Sequence, residues 1–233
     1  MELSEMTIAQ RLTAVNEQIR SAELKYGRKP GSVQLLAVSK TRPVEDLLEA
    51  QQAGQHAFGE NYLQDALPKI EAMREPRPEW HFIGPIQSNK TREIAEHFDW
   101  VHSVDRLKIA RRLSEQRPAD RPPLSICLQV NIDNEASKSG VLPDEVLTLA
   151  SEIQPLAHLR LRGLMAIPRA SHDFEQQRQS FGHVRELFEQ LQQQGFALDT
   201  LSMGMSNDLE AAIAEGATLV RIGTAIFGER LNR

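Results

Sequence analysis

A lysine at the end of an apolar run is the first residue of this chain with clear chemical use. In "LLAVSKT", Leu35 to Thr41, apolar residues and a serine lead to Lys40, and the chain then turns at Thr41-Arg42-Pro43. Read as a strand, whose side chains alternate between faces, the run puts Lys40 on the side of Leu36 and Val38, toward an interior. A solvated lysine amine titrates near ~10.4 and is a poor nucleophile at neutral pH; burial or a nearby cation lowers that value. An amine so placed can form a Schiff base with a carbonyl. The plainer alternative is a strand-end lysine whose ammonium snorkels to water.

Two segments near the end of the chain complement that amine. In "RIGTAIFGER", Arg221 to Arg230, Gly223 and Thr224 can offer backbone N–H groups and a hydroxyl to a phosphate. "SMGMSND", Ser202 to Asn207 and Asp208, adds Gly204, Ser206 and Asn207 where a helix should begin. Either segment alone also fits tight turns and an ordinary helix cap. Together with an amine across from them, they suggest a ligand that carries both a phosphate and an aldehyde, and pyridoxal phosphate has both. Arg221, three residues before Thr224, could face the pyridine nitrogen of such a ring and keep it unprotonated, because a guanidinium stays charged. Its alternative is a structural salt bridge.

Other constellations are weaker. "GPIQSNKT", Gly84 to Thr91, approaches the phosphate-loop pattern G-x-x-x-x-G-K-[ST], but Asn89 stands at the second glycine and the segment follows a third strand. A helix cap by Ser88 or Asn89 reads better. Glu60, His81 and His102 stand at or near strand ends and could form a metal site. A single cysteine and the lack of an H-x-H or H-E-x-x-H pair argue against one. His81 otherwise packs within its strand or touches a ligand. "NEASKSG", Asn134 to Gly140, places Lys138 in a polar loop that is solvated by default and gates or binds an anion in the alternative.

These residues must be held by regular elements, and the chain alternates strand and helix patterns throughout. Ile8, Leu12, Val15 and Ile19 mark an opening amphipathic helix within a segment at 1–30. Then come strands at "LLAVS", "HAFGE" (His56–Glu60), "EWHFIG" (Glu79–Gly84), "WVHSV" (Trp100–Val104), "LSICLQVNI" (Leu124–Ile132), "LRLRGLMAI" (Leu159–Ile167), "TLSMGMS" (Thr200–Ser206) and "LVRIGTAIFG" (Leu219–Gly228), the last with its loop. Each of the first seven is followed by a helical pattern, with Pro43 opening the first, Asp105 at the N-cap of the fourth and Gly216 closing the last. Eight such steps favour a closed (β/α)₈ barrel over 35–228, in one domain over 1–233, rather than an open doubly wound sheet. No G-x-G-x-x-G follows the first strand, which weakens a dinucleotide reading. In a barrel the chemistry sits on loops after the strands' C-terminal ends, where Lys40, Ser206, Gly223 and Thr224 all fall.

Composition narrows the partners. A net charge of −5 gives no general attraction to nucleic acid or anionic lipid, and no run is long enough to span a membrane. Glu2 and Glu5 with no apolar stretch exclude a secretory signal, and one cysteine, Cys127, excludes an intramolecular disulfide. A cytoplasmic protein is expected.

With "FGENY" (Phe58–Tyr62), "EWHFIGPIQSNK" (Glu79–Lys90), "NEASKSG", "RGLMAIP" (Arg162–Pro168), "SMGMSND" and "RIGTAIFG" aligned behind Lys40, the chain closely resembles the YggS/PROSC family of pyridoxal phosphate homeostasis proteins, from about Leu35 to Gly228. That family resembles in turn the barrel domain of alanine racemase and other fold-type III enzymes. The resemblance implies Lys40 as the residue of the internal aldimine with pyridoxal 5'-phosphate. It implies Arg221 at the pyridine nitrogen, Ser206, Gly223 and Thr224 around the phosphate, and Asn61, His81 and Met165 along the ring. Ser202, Gly204, Met205 and Asn207 share the phosphate loop or shape it, and Lys138 falls in a loop associated with a secondary cofactor contact or transfer. It further implies a carrier or reservoir in vitamin B6 and amino-acid balance, with pyridoxal phosphate-dependent apoenzymes as recipients; nothing in the sequence requires a partner subunit, so a monomer is expected. Racemase chemistry needs a second acid/base opposite the lysine, which in alanine racemase is a tyrosine from a separate C-terminal domain of the partner subunit. The sequence given stops five residues after Gly228, so that domain is expected to be missing, and only Tyr62 or His81 offers a substitute. A racemase, and a metal-dependent barrel hydrolase on Glu60, His81 and His102, are the alternatives.

Overall fold

The computed structural model describes residues 5–229. Glu2 of the opening segment and Arg230 of the last motif lie outside the described residues. From β1 (Gln34–Val38) the chain runs through α2 (Val44–Gln52), β2 (Ala57–Glu60), α3 (Leu63–Ala72), β3 (Glu79–Phe82), α4 (Thr91–His97), β4 (Trp100–Val104) and α5 (Leu107–Gln116). The second half continues with β5 (Leu124–Val130), α6 (Val146–Ile153), β6 (Leu159–Ala166), α7 (Phe174–Gln193), β7 (Thr200–Ser202), α8 (Leu209–Ala214), β8 (Leu219–Ile222) and a single turn, α9 (Thr224–Phe227). The eight strands pair in parallel, each with its sequence neighbour, and β8 closes on β1. This is the (β/α)₈ barrel that the alternation implies.

Most of the apolar core lies between the strands and the helices, where Ala37, Phe58, Trp80, Phe82, Val101, Ile126 and Leu164 meet the buried faces of the surrounding ring. α1 (Ile8–Lys25) completes that ring. The last strand is followed only by the short α9, and α1 packs against α2, α8 and α9 to cover the gap. Leu12, Val15, Ile19 and Ala22 are the buried apolar positions of α1, a helical stripe that requires a partner. Thr7 and Gln10 cap its start reciprocally, Gln10 N–H donating to Thr7 Oγ1 at 3.2 Å and Thr7 N–H to Gln10 Oε1 at 2.9 Å.

Inside the barrel the residues alternate with those of the outer layer. Leu36, Ala57 and Leu219 form one small apolar group and Trp100, Cys127 and Met165 another. Arg162 closes the N-terminal end, stacked 4.4 Å over the Trp100 ring and paired in two hydrogen bonds with Asp199.

Several expected boundaries move. β7 keeps regular extension for only three residues, because Gly204 takes a φ of +105° and the chain turns through Met205 to Asp208. A Cβ on Gly204 would also lie 2.6 Å from the Ala212 Cβ, so the turn needs a glycine twice over. Asp105 does not cap α5; Arg106 holds the cap position and the Asp105 carboxylate accepts from Gly140 N–H at 3.1 Å. It therefore ties β4 to the "NEASKSG" loop. Ser88 and Asn89 open a 3₁₀ turn without a side-chain cap, and the Ser88 carbonyl accepts from Thr91 Oγ1 and Arg112 Nε.

Candidate functional site

Lys40 is the second residue past β1, half-buried, on the wall of a cavity of about 770 Å³ at the C-terminal mouth. The backbone that presents it is anchored from beneath. Thr41 has a φ of +64°, a conformation costly for a β-branched residue, so surrounding contacts must enforce it. Thr41 N–H donates to Asp65 Oδ2 at 2.8 Å, and Lys69 Nζ donates to the Ser39 carbonyl at 2.8 Å, to Glu60 Oε1 at 2.6 Å and to Asp65 Oδ2 at 3.0 Å. Lys69 and Glu60 are both buried, under α3 on the outer side of β2. Burial is the largest influence on Glu60 and pushes its carboxyl up to about 7, against the pull of Lys69. One cation thus braces both sides of the Lys40 turn.

Across the mouth, Arg221, Gly223 and Thr224 come from the end of β8, and Met205, Ser206 and Asn207 from the turn after β7. The first N–H groups of a helical turn lack partners within it, so the α9 entry at Gly223 and Thr224 presents donors to the cavity. Arg221 is buried, and that burial lowers its guanidinium to about 10, which leaves it a cation at neutral pH. Its backbone is fixed by an Arg221 N–H to Gly204 carbonyl bond of 2.9 Å, and its side chain donates to Ser202 Oγ at 2.6 Å and to the Ala166 carbonyl at 3.1 Å. The structure therefore brings together Lys40, Arg221, Ser206, Gly223, Thr224, Met205 and Asn207.

Five expected residues sit elsewhere. Gly204 shapes the turn behind the wall, and Ser202 is the buried acceptor beneath Arg221. Met165 is buried deeper in the barrel with Trp100 and Cys127, below the cavity. His81 is fully buried in the interior, stacked 5.3 Å from Trp100 and hydrogen-bonded to His102, so it supports the site from below instead of lining it. Asn61 follows β2, and its Oδ1 is a buried acceptor without a hydrogen-bond partner. Lys138 does reach the cavity wall, its Nζ donating to the Ile167 and Pro168 carbonyls at 3.3 Å and pairing with Glu135 at 2.6 Å.

The cavity also includes residues that the sequence patterns do not mark. His172 and Ala170 enter from the loop after β6, and Asp208 from the end of "SMGMSND". Burial raises the Asp208 carboxyl, and its Oδ1 accepts from Met205 N–H at 2.7 Å to hold the turn. Asp208 lies within the "SMGMSND" segment without being singled out there, and His172 had no spacing signal. The metal alternative fails on geometry. Glu60 faces outward to Lys69 while His81 and His102 face inward, so the three cannot converge, and no His/Cys/Asp/Glu group among the described residues could hold an ion. Tyr62 is exposed and, like His81, is not on the cavity wall, so neither expected second base stands opposite Lys40.

Comparison with known proteins fits this geometry. Residues 11–231 match the family described as alanine racemase, N-terminal domain. The chain is 58% identical over 228 residues to a pyridoxal phosphate homeostasis protein of Vibrio cholerae, covering 96% of this chain and 97% of that one. It is 50% identical over 226 residues to the protein of the same name from Escherichia coli, covering 96% and 97%. Among solved structures, PipY of Synechococcus elongatus with pyridoxal phosphate bound superimposes with a TM-score of 0.85 at 38% identity, covering 95% of this chain and all of that one. Alanine racemase of Corynebacterium glutamicum shares the fold, with a TM-score of 0.66 at 16% identity over 92% of this chain and 60% of that one.

Proposed function

This chain belongs to the family of the alanine racemase N-terminal domain, and we propose that it is a pyridoxal phosphate homeostasis protein that holds its ligand reversibly as a Schiff base on Lys40. The observation that carries this reading is the convergence of an amine, a buried cation and a helix-entry turn on one cavity: Lys40 on one wall, Arg221 beneath, Gly223 and Thr224 on the other. Bound there, pyridoxal phosphate supplies an aldehyde for an amine and a ring that can draw electrons from whatever the aldehyde has captured.

The chain's own residues favour holding over turnover. Among the described residues Lys40 and Lys138 are the lysines on the cavity wall, and Lys40 is the one carried there by the end of β1. Ser206, Gly223 and Thr224 supply hydroxyl and N–H donors for a phosphate, and Asn61 supplies an unmatched acceptor. Arg221 faces the ligand as a cation that does not give up its proton, so a pyridine nitrogen against it stays unprotonated and the ring is a weak electron sink. Neither expected second base, Tyr62 nor His81, is on the wall, and a positioned acid/base is worth ~10²–10⁴-fold in rate. The reading extends to a monomeric single-domain barrel in the cytoplasm that passes pyridoxal phosphate to dependent apoenzymes. No helix among the described residues is long and apolar enough to cross a membrane.

The test is an absorption scan of the purified protein, before and after borohydride, followed by peptide mass spectrometry. A pyridoxyl group fixed on Lys40, absent from Lys40→Ala, is the expected result. A protein that stays unmodified after incubation with pyridoxal phosphate overturns the reading. Solvent deuterium entering the α-carbon of an amino acid at about 1–10³ per second, and lost in Lys40→Ala, would favour a racemase instead.

A further inference from the structure

Five side chains from four strands form an unbroken line through the depth of the barrel. Glu79 opens β3 at the N-terminal end, its side chain 44% exposed. Glu79 Oε1 lies 2.6 Å from His81 Nε2, His81 Nδ1 lies 2.8 Å from His102 Nε2, and His102 Nδ1 lies 2.8 Å from Ser202 Oγ. Ser202 Oγ then accepts from Arg221 at 2.6 Å, at the cavity. His81, His102 and Ser202 are each fully buried.

The protons along this line follow from its two ends. Arg221 can only donate, so Ser202 Oγ must accept there. The Ser202 hydroxyl has one hydrogen, and its remaining contact among the described residues is His102 Nδ1. Leaving that hydrogen unpaired on a fully buried hydroxyl would cost ~1–3 kcal/mol, so it points to His102 Nδ1, which must be bare. The His102 proton is then on Nε2 and points to His81 Nδ1, also bare. His81 carries its proton on Nε2 and donates to Glu79, an acceptor at the far end. Burial, with lesser contributions from His81 and Arg221, holds His102 well below the ordinary histidine range and agrees with a neutral ring.

We propose that Glu79, His81, His102 and Ser202 are positioning residues for Arg221, forming one directional hydrogen-bonded line that fixes its guanidinium as a cation aimed at the ligand ring. The role toward the ligand rests on the function proposed above; the direction of the line does not. Each bond polarises the next, so the anion at the far rim of the barrel supports the cation at the mouth. Glu79 thereby influences a ligand on the opposite side of the barrel without approaching it.

Two measurements test this. The first is a long-range proton–nitrogen correlation spectrum of the histidine rings at neutral pH, in protein free of pyridoxal phosphate, assigned with His102→Phe. His81 and His102 should both carry hydrogen on Nε2 alone; a proton on Nδ1 of either ring, or on both nitrogens, overturns the direction. The second is a double-mutant cycle with pyridoxal phosphate as the probe. Ser202→Ala should weaken binding roughly tenfold, as for one lost hydrogen bond to a charged group. Glu79→Gln should weaken it roughly threefold in the native background and have no effect in Ser202→Ala, since residues coupled through one network fail to add. The same factor in both backgrounds, or none in either, overturns the positioning role. If the native protein takes up no probe at all, the proposed function fails while the nitrogen spectrum still decides the line.

Discussion

At the scale of single residues, the group with the clearest measurable signature is Glu60. Its carboxyl is buried, one oxygen pairs with Lys69 and Ser39, and Oε2 has no partner. The folded value of about 7 stands above the ordinary 4.5, so the folded state binds a proton more tightly than the unfolded chain. The stability this gives is fully present below 4.5 and is lost as the pH rises through about 7. Glu60→Gln removes that contribution. Its stability relative to the native protein should fall as the pH is lowered from 7.5 toward 4.5, by up to ~1.4 kcal/mol per pH unit. Urea unfolding of both proteins across that range checks it, and a constant offset would refute the assignment. His102 works in the opposite sense. Its depressed value means that the unfolded chain gains a proton below the ordinary 6.5, so stability is lost on acidification, and Glu60→Gln should expose that loss.

At the scale of elements, the site depends on how strand ends are locked to their neighbours. Lys69 on α3 holds the carbonyl of Ser39 and, through Asp65, the N–H of Thr41. Lys69→Met would remove the cation from buried Glu60 and half-buried Asp65; breaking a buried pair costs up to ~3–5 kcal/mol, and protonation of Glu60 offsets part of it. It should also slow borohydride-trapped adduct formation at Lys40, because the strained Thr41 turn loses its brace; an unchanged trapping rate would separate the clamp from the site. The loops after β2 and β3 touch in the same way. A Cβ on Gly84 would stand 2.1 Å from the Asn61 carbonyl oxygen, backbone that cannot swing aside. Gly84→Ala should cost about 1–3 kcal/mol in thermal unfolding, as other overpacked sites do, and should weaken pyridoxal phosphate binding by displacing Asn61. Destabilisation without a change in affinity would remove Asn61 from the site.

At the scale of the whole molecule, α1 occupies the place that the one-turn α9 leaves open in the helical ring around the closed barrel. Ile19, buried in that interface, should cost ~2–5 kcal/mol on truncation to Ala. Because α1 lies outside the strands, Ile19→Ala should still form the Lys40 adduct well below its unfolding temperature. Loss of the adduct at temperatures where circular dichroism shows a folded barrel would tie α1 to the site. Arg28 extends the same seam, donating to the Ile213 and Ala217 carbonyls at 2.8 and 2.9 Å beside the start of β8.

The sequence by itself determined the barrel, the order of its strands and the identity of Lys40, Arg221, Gly223 and Thr224 as mouth residues. Those follow from local periodicity: apolar runs of strand length alternate with helical stripes, and residues just past a strand end are carried to one face of a parallel sheet. Tertiary structure decided which way the deeper residues point and what they meet. Strand parity places His81 and Met165 inward, but only closure of the ring sets their depth and brings His81 to His102 and His102 to Ser202, a hundred residues away in sequence. It likewise put Glu60 outside with Lys69 and apart from the histidines, and brought His172 and Asp208 to the cavity wall. Hydrogen bonds between distant strands depend on barrel register, which no short stretch of sequence encodes.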